Sequence, residues 1–106
     1  MAQNELPDHF LLVSQEHQQI TKAVEELGKA TKKAGPINEK NAQLIQLAAA
    51  ASIRSEGAVH SHTRRALDAG SNRAEIHHTI LLLTSTIGFP TVVAALSWVN
   101  DVIGKD

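Results

Sequence analysis

The sequence predicts an all-α protein, and three observations support this prediction. Apolar residues recur at spacings of three and four along most of the chain, which is the pattern of a helix with one buried face. No stretch alternates between apolar and polar residues for long enough to indicate a strand. Glycine and proline fall between the periodic segments. Because 106 residues suffice for one domain and not for two, we expect a single-domain helical bundle of about five or six helices over residues 1–106.

The first helix is predicted to begin at Pro7, since proline suits the first helical position, and to end before Gly35-Pro36. Its length of about 28 residues predicts a bend or a split into two helices. One apolar stripe runs along it through Phe10, Val13, His17, Ile20, Val24 and Leu27.

Two further helices follow in the middle of the chain. Asn38 is placed to cap the second, which runs to Ile53 and is apolar nearly all round. Gly57 is expected to mark a break or a kink. The third helix then spans about Ala58 to Ala69, with Gly70 closing it at the position that favours glycine.

The last two helices are the most apolar part of the chain. Asn72 and Glu75 form a capping pair for the fourth helix, Gly88-Phe89-Pro90 breaks it, and the fifth helix runs on to Ile103. Leu81, Leu82 and Leu83 are consecutive and therefore point in three directions around a helix. A monomer of this size could not cover all of this surface, so we expect a homo-oligomer.

The composition excludes several classes of protein. With no cysteine, the chain has no disulfide, no thiol nucleophile and no cysteine-based zinc site. A formal net charge of −1 does not favour nucleic acid as a partner. The amino terminus lacks the basic and apolar regions of a signal peptide, and no stretch approaches the roughly 20 apolar residues of a membrane span. We therefore expect a cytoplasmic protein without a membrane partner.

The six histidines are candidate metal ligands. A helical chelate needs ligands four residues apart, as in His-Glu-x-x-His. His60 and His62 are two apart and point to nearly opposite sides of a helix, and His77 and His78 are adjacent. Since neither pair can chelate by itself, we expect no metal, and nothing in the sequence indicates a cofactor.

The predicted third helix carries one face with possible chemistry. His62 and Arg65 lie one turn apart among small residues, and Ser55 joins this face if the helix extends backwards. An imidazole can transfer a proton near neutral pH, and a guanidinium can hold a carboxylate through two hydrogen bonds. The alternative is a buried histidine bonded to a backbone carbonyl, with Arg65 in a surface ion pair. The helical wheel alone favours this alternative.

The residues around this face resemble the carboxymuconolactone decarboxylase family, which includes the alkyl hydroperoxidase D-like proteins. The family pattern matches His62, Ala66, Ala69-Gly70 and Glu75-Ile76 in order, and Gly88-Phe89-Pro90 is similar to the turn of the decarboxylase branch. The resemblance covers residues 37–103 most strongly. It implies a helical protein that assembles as trimers or hexamers, with sites at subunit interfaces.

The departures from the family pattern matter as much as the matches. The peroxidase branch carries a Cys-x-x-Cys pair at the positions of Ser55 and Ala58, and a glutamate at the position of Gln43. Because serine and alanine cannot form a disulfide, the resemblance does not extend to a cysteine-based peroxidase. The decarboxylase branch lacks the cysteine pair and keeps the histidine, but it tends to carry a glutamate at the position of Ala58.

The resulting hypothesis is a cysteine-free family member with an interface pocket centred on His62. His62 is the candidate acid and base of a carboxy-lyase-like reaction on a small carboxylated molecule. The candidate substrate-binding residues are Arg65, Ser55, Gln43 and His60. The alternative is a non-catalytic oligomeric scaffold or interaction protein that has lost the family active site, because family membership does not assign chemistry. Whether the protein is an enzyme stays open at this point.

Overall fold

A computed structural model describes residues 8–104, and every regular element in that range is a helix. The prediction of an all-α fold is confirmed. None of these helices is long and apolar enough to cross a membrane. The predicted role of Pro7 lies outside the described residues. The helices are α1 Asp8–Glu16, α2 Gln18–Lys33, α3 Glu39–Ser52, α4 Glu56–Asp68, α5 Arg73–Leu81, α6 Thr84–Ile87 and α7 Phe89–Ile103.

The helices form two units, of which the first ends at Ile37 and contains α1 and α2. The expected split of the first long helix occurs at His17, whose φ of −134° and ψ of 57° are not helical. The hydrogen bonds continue on both sides, because the His17 N–H donates to the Val13 carbonyl and the His17 carbonyl accepts from the Thr21 N–H. The apolar stripe of α2 is exposed in the single chain, with Ile20, Val24 and Leu27 each more than 60% accessible.

The second unit begins at Asn38 and holds the hydrophobic core. Alanines supply several of the core positions, and on α3 and α4 they let the two helices pack closely. Aliphatic side chains of α5 and α7 fill the remaining volume. The buried core consists of Leu47, Ala50, Ala51, Val59, Ala66, Ile76, Ile80, Val92, Ala95 and Val99.

The break between α3 and α4 lies at residues 53–55, so the predicted break at Gly57 is wrong. Arg54 adopts a left-handed conformation with a φ of 56°. The Ser55 N–H then donates to the Ala50 carbonyl and the Arg54 N–H to the Ala51 carbonyl, which is the bond pair of a Schellman helix end. Gly57 lies inside the first turn of α4. The helix therefore ends where its last carbonyls are satisfied, without needing the glycine.

The boundaries predicted at Gly70, Asn72 and Gly88 depend on local capping and agree with the structure. Gly70, with a φ of 100°, ends α4 with the same bond pair. The side chain of Asn72 accepts from the Glu75 N–H, and the Glu75 carboxylate accepts from the Asn72 N–H, which forms a complete capping box. Gly88, with a φ of 93°, separates α6 from α7.

The predicted fourth helix is shorter than expected. It ends at Leu81, and α6 is a separate single turn. At this junction the Thr84 hydroxyl donates to the Leu81 carbonyl at 2.8 Å.

Candidate functional site around His62

His62 on α4 meets Gln43 on α3 through a hydrogen bond of 2.9 Å between Nδ1 and the amide oxygen Oε1. Gln43 is 1% exposed and His62 is half-buried. Two residues that are nineteen positions apart therefore share one contact in the interface between the two helices. Burial of the amide holds this contact in place, because a buried polar group that loses its partner is costly.

Glu39 determines which way the amide of Gln43 points. The Gln43 amide nitrogen donates to the Glu39 carboxylate at 2.8 Å, one turn earlier on α3. The amide oxygen must then face His62, and an oxygen can only accept a hydrogen bond. The proton of a neutral His62 ring is therefore on Nδ1, and its lone pair is on Nε2. We refer to Glu39, Gln43 and His62 as the amide relay.

The backbone places His62 beside the core of the second unit. Its neighbour Thr63 is fully buried and donates to the Val59 carbonyl at 2.7 Å, so this side of α4 faces the interior. Ala66, one turn further along, is also fully buried. With small residues at these positions, α4 lies close enough to α3 for the imidazole to reach the amide.

The remaining predicted site residues lie apart from the amide relay or at its margin. Arg65 is exposed near the end of α4. Ser55 is the N-cap residue of α4 and makes no capping bond with its side chain, and Ala58 lies in the first turn. These two positions would hold the cysteine pair in the peroxidase branch, and neither side chain can form a disulfide.

His60 faces a different helix from His62. Its Nε2 lies 3.0 Å from a carboxylate oxygen of Asp101 on α7. His60 thus forms a hydrogen bond between α4 and α7, whereas His62 forms one between α4 and α3. His60 does not belong to the amide relay.

Neither the contact of Glu39 with Gln43 nor the grouping of Glu56 with His60 was predicted from the sequence. Glu39 and Gln43 are four apart, so the spacing alone could have indicated their contact. Glu56 and His60 are also four apart, and together with Asp101 they place one potential metal-ligand atom each within 4.8 Å of the others. Glu56 and His60 have the four-residue spacing that the pairs His60/His62 and His77/His78 lack, and this spacing is the signal in the sequence for their grouping.

A salt bridge ties the amino-terminal turns of α3 and α5 together. Lys40 Nζ lies 2.6 Å from the Glu75 carboxylate. The hydrogen bond from Lys40, followed by the backbone bond from Asn72, lowers the pKa of Glu75 below its usual value. The carboxylate that caps α5 thereby stays ionised to lower pH, and its partner Lys40 directly follows Glu39 in α3.

Comparison with known proteins supports the family assignment. The family model described as the carboxymuconolactone decarboxylase family matches residues 18–101, from the start of α2 to the last turn of α7. The match begins upstream of Ile37, where the resemblance in the sequence began. Searches of the curated proteins and of the solved structures gave no significant match.

Proposed function

Because this chain belongs to the carboxymuconolactone decarboxylase family, we propose that it binds a small carboxylated molecule beside His62 and acts on it without thiol chemistry. The observation that carries the proposal is the amide relay, which orients the imidazole through the buried Gln43. A histidine with a fixed tautomer is the arrangement that acid–base catalysis requires.

The reaction that fits this arrangement is a decarboxylation. When the bond to the carboxylate carbon breaks, the carboxylate leaves as carbon dioxide. The electron pair of this bond stays on the substrate carbon and spreads into the neighbouring carbonyl group as an enolate. The protonated His62 ring gives its Nε2 proton to that carbon, and solvent returns a proton to the ring. The Gln43 oxygen accepts from Nδ1–H throughout, which stabilises the cationic ring.

A cation must also hold the substrate, and two arginines are candidates. Arg65 is one turn from His62 and exposed. Arg54 is exposed and donates to the Thr91 hydroxyl at 2.9 Å. Because Arg54 already has a hydrogen-bond partner on α7, Arg65 is the better candidate for a carboxylate.

The test is the rate of carboxymuconolactone decarboxylation in the parent chain and in His62→Ala. General acid–base catalysis contributes about a hundredfold or more, so we expect a loss of at least that size. His78→Ala is the matched control, because His78 is exposed on α5 and outside the amide relay. Equal rates in the parent and in His62→Ala would exclude His62 as the catalyst.

A second candidate function is a non-catalytic, homo-oligomeric scaffold, and the exposed apolar surface favours it. Large apolar side chains are accessible in both units, among them Val24 at 62%, Leu82 at 61% and Ile53 at 77%. Surfaces of this kind mark interaction sites, and the stripe of α2 has the spacing by which helices pack against each other. A trimer or hexamer is the assembly that the family resemblance implies.

Sedimentation of the full chain at micromolar concentration tests the assembly. We expect a mass several times the 11.4 kDa of one chain, and Val24→Glu should lower it by charging the stripe. Lys22→Glu, on the same helix, serves as a control for the added charge. A monomer in the parent chain would contradict the assembly. A stable oligomer that neither turns over nor binds carboxymuconolactone would support the scaffold over the enzyme.

A further inference from the structure

A second group of ionisable side chains lies between α4 and α7, away from the amide relay. It consists of Glu56 and His60 on α4 and Asp101 near the end of α7. We propose that these three residues bind a first-row divalent cation, with one imidazole nitrogen and two carboxylate oxygens as ligands. We call this group the α4–α7 cluster.

The spacing of the α4–α7 cluster fits a metal ion. One ligand atom from each residue lies within 4.8 Å of the other two, and the His60 and Asp101 atoms are already 3.0 Å apart. Around a cation with bonds of about 2.0–2.2 Å, ligand atoms are separated by roughly 3 to 4.3 Å. Small side-chain rotations are therefore enough to bring all three atoms onto one ion.

The positions of the three residues on α4 and α7 allow them to chelate one ion. Glu56 and His60 are four residues apart and so project from the same side of α4. Asp101 approaches this side from α7, forty-one residues further along the chain than His60. A cation bound here would be held by two helices rather than by one flexible segment.

The charges of the α4–α7 cluster also favour a cation. Two carboxylates face one imidazole, and in the described part of the chain no lysine or arginine forms an ion pair with Glu56 or Asp101. Since His60 contributes at most one positive charge, two ionised carboxylates keep the cluster anionic whether or not this ring is protonated. A divalent cation would satisfy both carboxylates and use the imidazole as a neutral ligand.

The ligand set selects the class of metal. Mg²⁺ and Ca²⁺ prefer oxygen ligands only, whereas an imidazole suits Zn²⁺ and its neighbours in the first transition row. His60 is 26% and Asp101 56% exposed in their side chains, so ions can enter from solvent and water can complete the coordination shell. The site is thus expected to prefer Zn²⁺ over Mg²⁺.

The test is a titration of the chelator-treated full chain with Zn²⁺ in competition with a metal indicator dye. We expect saturable binding of one ion per chain. Glu56→Gln, His60→Gln and Asp101→Asn should each weaken this binding about tenfold or more, because each removes one ligand. His78→Gln should leave it unchanged, since this exposed histidine lies outside the cluster.

The location of the ion is read separately from amide chemical shifts in the same titration. Shifts centred on the first turn of α4 and the last turn of α7 support the proposal. Absence of saturable binding, equal affinity in all four variants, or shifts centred on another histidine would overturn it. Because Glu56→Gln and Asp101→Asn change exposed side chains and conserve their shape, their effect on metal affinity is separable from an effect on folding.

Discussion

Replacement of Gln43 by leucine tests whether the amide relay holds α3 and α4 in register. Leucine has a similar volume but cannot donate to Glu39 or accept from His62, so both hydrogen bonds of the relay are lost. Gln46→Leu, one turn along the same helix, is the matched variant. The Gln46 amide oxygen is buried and has no hydrogen-bond partner among the described residues.

The expected difference in the free energy of unfolding between Gln43→Leu and Gln46→Leu follows from these contacts. The neutral bond to His62 contributes about 1 kcal/mol, and the bond to the charged but exposed Glu39 contributes about 1.5 kcal/mol, the lower end for an ionised acceptor. The gain from burying a leucine occurs in both variants and cancels in their comparison to a first approximation. Gln46→Leu also removes an unpaired buried oxygen. Gln43→Leu should therefore be less stable than Gln46→Leu by about 2.5 kcal/mol or more.

Urea unfolding followed by the fluorescence of Trp98 measures this difference. Trp98 is the only tryptophan and packs against the core, so its emission reports on the second unit. The protein concentration must be the same for all variants, because the apparent stability of any protein that self-associates depends on it. If Gln43→Leu were as stable as Gln46→Leu, the amide relay would not stabilise the contact between α3 and α4.

Three further predictions concern the second unit. Because the pKa of Glu75 is lowered by Lys40 and by the Asn72 N–H, its carboxylate stabilises the fold above its unfolded pKa, and this contribution is lost as the pH falls through the lower, folded pKa. Glu75→Gln keeps the capping geometry, so the urea midpoint of this variant should fall less steeply with acid. Gly88→Ala should cost about 1–3 kcal/mol, since a φ of 93° and a ψ of 150° suit only glycine, and thermal melts measure the loss. Gly57→Ala should instead stabilise by about 0.5–1 kcal/mol, because Gly57 is helical and a Cβ there meets no atom within 4 Å. A lower melting temperature for Gly57→Ala would contradict its placement inside α4.

The helix boundaries that could be predicted are those that depend on neighbouring residues. Asn72 and Glu75 are three apart, and Gly70 and Gly88 are residues that readily adopt a positive φ, so the sequence carried these signals directly. The turn at Arg54 carries no such signal. Arginine rarely adopts a left-handed conformation, and the nearby Gly57 offered a more obvious break. Packing of α3 against α4 overrode this local preference.

The contacts of the candidate site also fall into those that the sequence could predict and those that depend on helix packing. That Gln43 and His62 occupy related positions came from the family resemblance, since no spacing rule connects residues on different helices. The contact of Glu39 with Gln43 could be predicted, because residues four apart on a helix are neighbours. The contact of His60 with Asp101 could not be predicted, because it depends on how α4 and α7 pack. For this reason His60 was grouped with His62 in the sequence analysis, although its ring contacts a different helix.

The orientation of His62 by Gln43 is tested most directly by the nitrogen chemical shifts of the His62 ring. Long-range proton–nitrogen correlation spectra of the full chain, recorded where the ring is neutral, distinguish the two tautomers. The amide relay predicts a protonated Nδ1 and a lone pair on Nε2, and Gln43→Leu should shift the population away from this tautomer. A neutral ring protonated on Nε2 in the parent chain, with no change in Gln43→Leu, would contradict it.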